Sequence, residues 1–346
     1  MLLDVRLRHA EVDAFDFRRV HPSLRFGTAS DRYAGWLGQV YPREAWEDRV
    51  SKRAKRLGGQ TYEERTLPVE STADYFRHFS VVELDFTFYR PLLEEDGRPS
   101  NNLFVLQQYA EHAPESARFL LKAPQAYSAR VRRVRGGYEA NPTYLDAKGY
   151  RERFLAPARD VLGERLGGVL FEQEYARVRE SPPPEALVSE LDGFFADVPS
   201  DVQTHLEVRS PHLLTPPYFG WLADRGLGFV FSHWTWLPSI KGQWGLSGGR
   251  FTAANGEAVL RLLTPRKARY EDAYRMAYPF DRPVPELSET AGAREMIEEA
   301  VALAYKAVEA GAILNVIANN RAFGNAPALD QAIAFRFLEF AEPRGA

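Results

Sequence analysis

Short apolar runs recur along this 346-residue chain, separated by longer segments of helical pattern. That alternation limits the possible folds more than any other feature. The runs are "LRFGTA" (24–29), "VVELDFTF" (81–88), "ARFLLKA" (117–123), "GGVLFEQ" (167–173), "VQTHLEVR" (202–209), "LGFVFSH" (227–233), "AVLRLLT" (258–264) and "AILNVIANN" (312–320). Their length and their β-branched and aromatic content suit buried strands. Helical patterns stand between them: "TADYFRHF" before the second run, "EALVSELDGFFADV" before the fifth and "TPPYFGWLADRG" before the sixth. "SETAGAREMIEEAVALAYKAVEAG" precedes the eighth run and "APALDQAIAFRFLEF" follows it. The longest starts with Ser288 in N-cap position, and Gly311 sits just past its end.

Strands alternating with helices imply parallel pairing through crossovers. Eight such units predict an α/β chain closed into a (β/α)8 TIM-type barrel with a parallel sheet. An open doubly wound sheet is the alternative. A Gly-rich phosphate loop would favour it, but neither GxGxxG after a strand nor GxxxxGK[ST] occurs. Residues 48–68 and 128–150 break the alternation and read as loop insertions, each with a Gly pair. Residues 1–22 read as an N-terminal arm and 23–346 as a single barrel domain.

Composition narrows the partners. The formal net charge is −3, so no global field marks a binder of nucleic acid or of an acidic membrane. There are no cysteines, which excludes disulfides, thiolate ligands and a Cys nucleophile. The first residues carry charges throughout and no apolar run is long enough to span a bilayer. The expectation is a soluble cytoplasmic protein with no membrane partner.

Polar residues collect in the C-terminal halves of the expected strands, where barrel enzymes build their active sites. They include Thr28, Glu83, Asp85, Lys122, Glu172, Glu207, Arg209, Ser232, His233, Arg261, Asn319 and Asn320. Residues two apart on a strand share a face. Glu83, Asp85 and Thr87 should therefore face the lumen, with Val82, Leu84, Phe86 and Phe88 toward the helices. By the same parity, the inward set mixes acids with Lys122, Arg209 and Arg261, which would keep the carboxylates ionised. A structural salt-bridge network across the barrel is the competing reading. In "GTASDRYAGWLGQVYP" (27–42), Tyr33 and Trp36 could stack on a ligand or seal the barrel. His233 could serve as an acid–base group, a metal ligand or a packing residue. Glu83, Glu207 and His233 could together hold a divalent cation, although no local spacing motif supports it. The basic run "RVRRVRGG" (130–137) could contact nucleic acid through Arg132, Arg133 and Arg135, or be a solvated face.

"GTASDRYAGWLGQVYP", "VVELDFTFYR", "RFLLKAP", "LGGVLFEQ", "HLEVRSP" and "IANNRAFGNAP" stand in the order found in domain of unknown function family 72, the YecE-like TIM barrels. The chain resembles that family over about residues 23–335. The resemblance points to Gly27, Thr28, Tyr33, Trp36, Tyr41, Pro42, Glu83, Thr87, Phe88, Tyr89, Arg90, Lys122, Pro124, Glu207, Arg209, Arg261, Asn319, Asn320 and Gly324. It also exposes departures. Asp31 stands where Trp is usual, Asp85 where Asn is usual, and His233 where Asp is common. Ser128-Ala129 and Leu263 fall where the family has histidines. The resemblance implies a fold and no established reaction.

Residues and resemblance together favour an enzyme, a hydrolase, isomerase or lyase, acting on a small anionic substrate. Catalytic candidates are Glu83, Lys122, Glu207 and His233. Substrate-binding candidates are Thr28, Tyr33, Trp36, Asp85, Tyr89, Arg209, Arg261, Asn319 and Asn320. No cofactor is implied beyond the divalent-cation alternative. Nucleic-acid processing and a non-catalytic ligand-binding barrel remain as rivals.

Overall fold

The computed structural model describes residues 5–134 and 136–341. Among them the strands are β1 (Leu24–Ala29), β2 (Ser51–Leu57), β3 (Gln60–Thr66), β4 (Val81–Leu84), β5 (Arg118–Lys122) and β6 (Val131–Val134). The series continues with β7 (Gly137–Ala140), β8 (Leu166–Gln173), β9 (Thr204–Val208), β10 (Gly228–His233), β11 (Glu257–Leu262) and β12 (Ile313–Ala318). Eight of these close into a parallel barrel in the order β1-β12-β11-β10-β9-β8-β5-β4, with β4 pairing back onto β1. The chain is thus a (β/α)8 TIM-type barrel. The closing pair approaches tightly, because a Cβ at Gly27 would lie 1.9 Å from the Val81 carbonyl oxygen.

Strand parity divides the core. Ala29, Val81, Leu120, Leu170, Val230, Val259 and Ile317 form an apolar layer of their own inside the barrel. Val82, Leu121, Phe171, Leu206, Phe231, Leu260 and Val316 point the other way, into the shell shared with the helices. His205 is fully buried on β9, and neither ring nitrogen has a partner among the described residues. Burial pushes its imidazole down to about 4, so it packs as a neutral ring. Gly228 leaves the space, since a Cβ there would fall 2.0 Å from His205 Nδ1.

Several boundaries differ from the sequence reading. β4 ends at Leu84, and Phe86–Tyr89 is a single helical turn. The period-two pattern therefore stops: Asp85 is exposed, Phe86 and Phe88 line the mouth, and Thr87 is buried, donating to the Lys122 carbonyl at 2.7 Å. The long helix is Ala291–Ala310, and Thr290 rather than Ser288 caps it, accepting from Ala293 N. Ser288 instead closes a separate turn, Pro285–Ser288. The two insertions are antiparallel hairpins, β2–β3 and β6–β7, not irregular loops. Within the N-terminal segment, Val12, Phe17 and Val20 are buried, and Gln331 donates to the Val12 carbonyl at 3.1 Å. No helix among the described residues is long and apolar enough to cross a membrane.

Helix Ala326–Ala341 buries Asp330 completely, and neither carboxylate oxygen has a partner among the described residues. Burial holds this carboxyl well above the usual carboxylate range. A carboxyl raised on folding adds stability that is full below its unfolded value, about 3.9, and is lost as pH rises through its folded value. Urea unfolding of the native chain and Asp330→Asn across pH 5–8 checks this. The variant should gain on the native chain as pH rises, by at most about 1.4 kcal/mol per pH unit. A pH-independent difference would mean that Asp330 does not titrate on folding.

Candidate functional site at the barrel mouth

Two residues beyond the apolar layer, six of the barrel strands carry an inward polar group. β4 contributes Glu83, β5 Lys122, β8 Glu172, β9 Glu207, β10 Ser232 and β11 Arg261. Arg261 is the hub. Its Nε and Nη2 donate to the two oxygens of Glu83 at 2.8 and 2.6 Å, and its Nη1 donates to Glu207. Ser232 donates to the other Glu207 oxygen. Glu172 Oε2 lies 2.8 Å from Lys122 Nζ, 2.9 Å from Arg209 Nη2 and 3.6 Å from Arg261 Nη1. Arg209 also reaches Glu207 Oε2 at 3.2 Å. Three carboxylates and three cations therefore neutralise one another in a buried lattice.

The lattice sets its own protonation. Burial would raise the Glu172 carboxyl, but Arg209, Lys122 and Arg261 outweigh it and hold it well below the usual carboxylate range. Burial alone would lower the Arg261 guanidinium, yet Glu207, Glu83 and Glu172 drive it further up.

Above the lattice opens a cavity of about 720 Å³. Glu83, Lys122, Glu172, Arg209 and Arg261 form its floor, and Phe88, Tyr89, Tyr33 and Phe280 form aromatic walls. Lys122 Nζ sits 4.1 Å from the Phe88 ring centre, a cation–π contact that fixes the ammonium over the floor. Asp31 is buried in one wall and accepts from Tyr109 at 2.7 Å and Thr72 at 3.0 Å. Burial raises its carboxyl above the usual range, against the pull of Arg32.

The expected residues divide into three groups. Glu83, Lys122, Glu207, Arg209 and Arg261 meet in the lattice, with Glu207 beneath the exposed floor. Asp85, Tyr89, Tyr33, Asn319 and Asn320 line the cavity. Asp85 accepts from Ser30 at 3.1 Å, Asn319 caps the turn Asn320–Phe323, and Asn320 Oδ1 accepts from Trp36 Nε1 at 3.2 Å. Thr28, Trp36 and His233 stand away from the cavity. Thr28 bonds Tyr75 behind β1, and Trp36 is buried as the partner of Asn320.

His233 needs correction on two counts. Ser232 takes the lumen position on β10, so His233 faces the helices, where its Nδ1 donates to the Thr264 carbonyl at 2.9 Å. Burial lowers its ring below the usual value. It cannot join Glu83 and Glu207, which are both committed to Arg261. Among the described residues no group of three acidic, His or Cys side chains forms a metal site.

Other cavity residues stand outside the catalytic and substrate-binding candidates, even where, as for Glu172, the sequence puts them at the mouth. Glu172 is one, although its step of two from Leu170 carried the signal. Arg53, Lys55, Glu64 and Arg65 are others, brought to the rim by the β2–β3 hairpin, together with Arg321 and Tyr270. Leu263 lines the cavity where the resemblance had placed a histidine. The β6–β7 hairpin lies elsewhere. Its Arg132 pairs with Glu139 at 2.5 Å, and Arg135 falls outside the described residues.

The architecture is that of a TIM barrel with a polar, charge-balanced mouth. The family profile described as "Protein of unknown function DUF72" matches residues 45–344, and the chain belongs to that family. Among solved structures it is similar to a DUF72 family protein from Thermotoga maritima, at 17% identity over 91% of this chain and 99% of that one, with a TM-score of 0.53. It is also similar to one from Enterococcus faecalis, at 14% identity over 93% and 99%, with a TM-score of 0.55. These likenesses support the fold alone. No match was found among curated proteins.

Removing the hub should unbalance the lattice. Arg261→Met leaves three buried carboxylates facing two cations, and breaking a buried pair in this way costs about 3–5 kcal/mol. Arg261→Lys should recover little, because a point charge cannot serve both Glu83 oxygens. Chemical denaturation of both variants checks this. Native-like stability for Arg261→Met would show that the lattice tolerates the imbalance.

Proposed function

We propose that the protein is an enzyme acting on a small substrate that carries a phosphate or carboxylate, bound at the barrel mouth. One observation carries the reading. Arg209 Nε, Asn320 Nδ2 and Arg321 Nε are buried polar atoms without a hydrogen-bond partner among the described residues. All three are donors on residues that line a cavity whose floor holds Lys122, while the one acceptor of that kind on the lining, Glu172 Oε2, faces the Lys122 and Arg209 cations at 2.8 and 2.9 Å. Buried donors are normally matched by acceptors, so the mouth is complementary to an acceptor-rich, anionic group.

The roles follow from which valences are free. Glu83 and Glu207 are occupied by Arg261 and act as positioning residues. Glu172 is held ionised and cannot supply a proton. Lys122 has three ammonium protons, with Glu172 beside it, and is the group able to grip the anion and hand a proton to the substrate. Asn320 and Arg321 orient the substrate from the rim. The engagement of both Glu83 oxygens supports a second reading, a barrel that binds such a ligand without turning it over.

Thermal unfolding in the presence of inorganic phosphate and of small carboxylates tests the site. The native chain should be stabilised, and Lys122→Ala or Arg209→Ala should weaken the response by about tenfold or more in affinity, as expected for charge-assisted hydrogen bonds. An unchanged response in both variants would place the anion elsewhere. Recovery of an authentic tight-binding substrate unchanged after incubation would favour the binding barrel over the enzyme.

A further inference from the structure

Three exposed or half-exposed aromatics stand past Arg209, just outside the cavity lining; Trp234 also packs against the core, whereas Tyr175 and Trp236 do not. Tyr175 follows β8, and Trp234 and Trp236 follow β10. Their loops flank the end of β9, where Arg209 leaves the strand. Tyr175 is 45% exposed and Trp236 is 54% exposed. Tyr175 lies 6.3 Å from each indole, ring centre to ring centre, so the three form a continuous shelf. Exposing this much apolar ring area to water is unfavourable, and contiguous exposed apolar patches mark binding surfaces.

Arg209 joins the shelf to the floor. Its guanidinium sits 5.1 Å from the Trp234 ring centre, while its Nη2 holds Glu172 at 2.9 Å. Its Nε has no hydrogen-bond partner among the described residues. A ligand whose anionic group meets Arg209 and Lys122 therefore has an aromatic surface beside it. On the reading that the mouth takes an anion, we infer that the shelf is a second subsite for the flat ring of that ligand. The class this assigns is a phosphorylated ring compound of nucleoside-monophosphate type, with the phosphate on the floor and the base stacked on Tyr175 and Trp236. Stacking on aromatic faces tolerates any base, since every base has a π-face.

The test compares inorganic phosphate, ribose 5-phosphate and adenosine 5′-monophosphate by calorimetry, using the native chain, Trp236→Ala, Trp236→Phe and Tyr175→Ala. These side chains are exposed, so the variants should fold as the native chain does. The nucleotide should bind about tenfold or more tightly than ribose 5-phosphate, as expected for one stacked base. Trp236→Ala and Tyr175→Ala should erode that advantage, Trp236→Phe should keep most of it, and phosphate affinity should not move in any of them. Equal affinity for the nucleotide and ribose 5-phosphate, or a nucleotide advantage that survives both alanine variants, would overturn the shelf while leaving the anion site standing. Absence of binding by all three probes would overturn both.

Discussion

Arg261 occupies the centre of the barrel mouth with its guanidinium divided between Glu83 and Glu207, and the rest of the site is arranged around that division. A cation taken this far from water is tolerable only if its charge and most of its N–H groups are answered. Two acids on non-adjacent strands supply that. Their own remaining demands recruit Ser232 and Arg209, and Arg209 brings in Glu172 and Lys122. The charges sum to zero within the layer, which is how ionised side chains can sit directly on the apolar layer formed by Leu120, Leu170 and their neighbours. The lattice is a positioning device more than a source of stability, since buried pairs roughly repay their own desolvation.

This arrangement also decides what the mouth can receive. Glu83, Glu207 and Arg261 have spent their hydrogen-bonding capacity on one another. Donors without an acceptor lie at the edge, on Arg209, Asn320 and Arg321, beside the Lys122 ammonium. A carboxylate-rich floor would suggest a cation or a sugar hydroxyl as ligand. The same floor, with Glu83 and Glu207 bridged by Arg261 and Glu172 ion-paired to Lys122 and Arg209, presents donors instead, and that inversion favours an acceptor-rich partner.

Much of the fold was legible in the sequence because each strand of a closed parallel barrel is buried on both sides and reads as an apolar run. Period-two parity then placed Glu83, Lys122, Glu207, Arg209 and Arg261 on one face before any coordinates. The same rule misled where the chain left the strand early. Asp85, Thr87 and Phe88 obey helical rather than strand geometry after Leu84, and no local signal separates "VVEL" from "DFTF". Ser232 and His233 alternate on β10, so only Ser232 reaches the lumen and His233 turns to the Thr264 carbonyl. The rim contributed by the β2–β3 hairpin was not legible. Arg53, Lys55 and Arg65 reach the cavity through a long-range docking that includes Tyr62 against Tyr274 and Tyr278, and nothing within residues 51–66 encodes that destination.

The most direct measurement is a crystal structure of the native protein soaked with tungstate, a heavy analogue of a tetrahedral anion visible by its anomalous signal. The account predicts a peak in the cavity within hydrogen-bonding distance of Lys122 Nζ and Arg209 Nε, with the Glu83–Arg261–Glu207 bridge undisturbed. An anion bound only at the hairpin rim, or one that displaces Glu172 from Lys122 and opens the lattice, would contradict it.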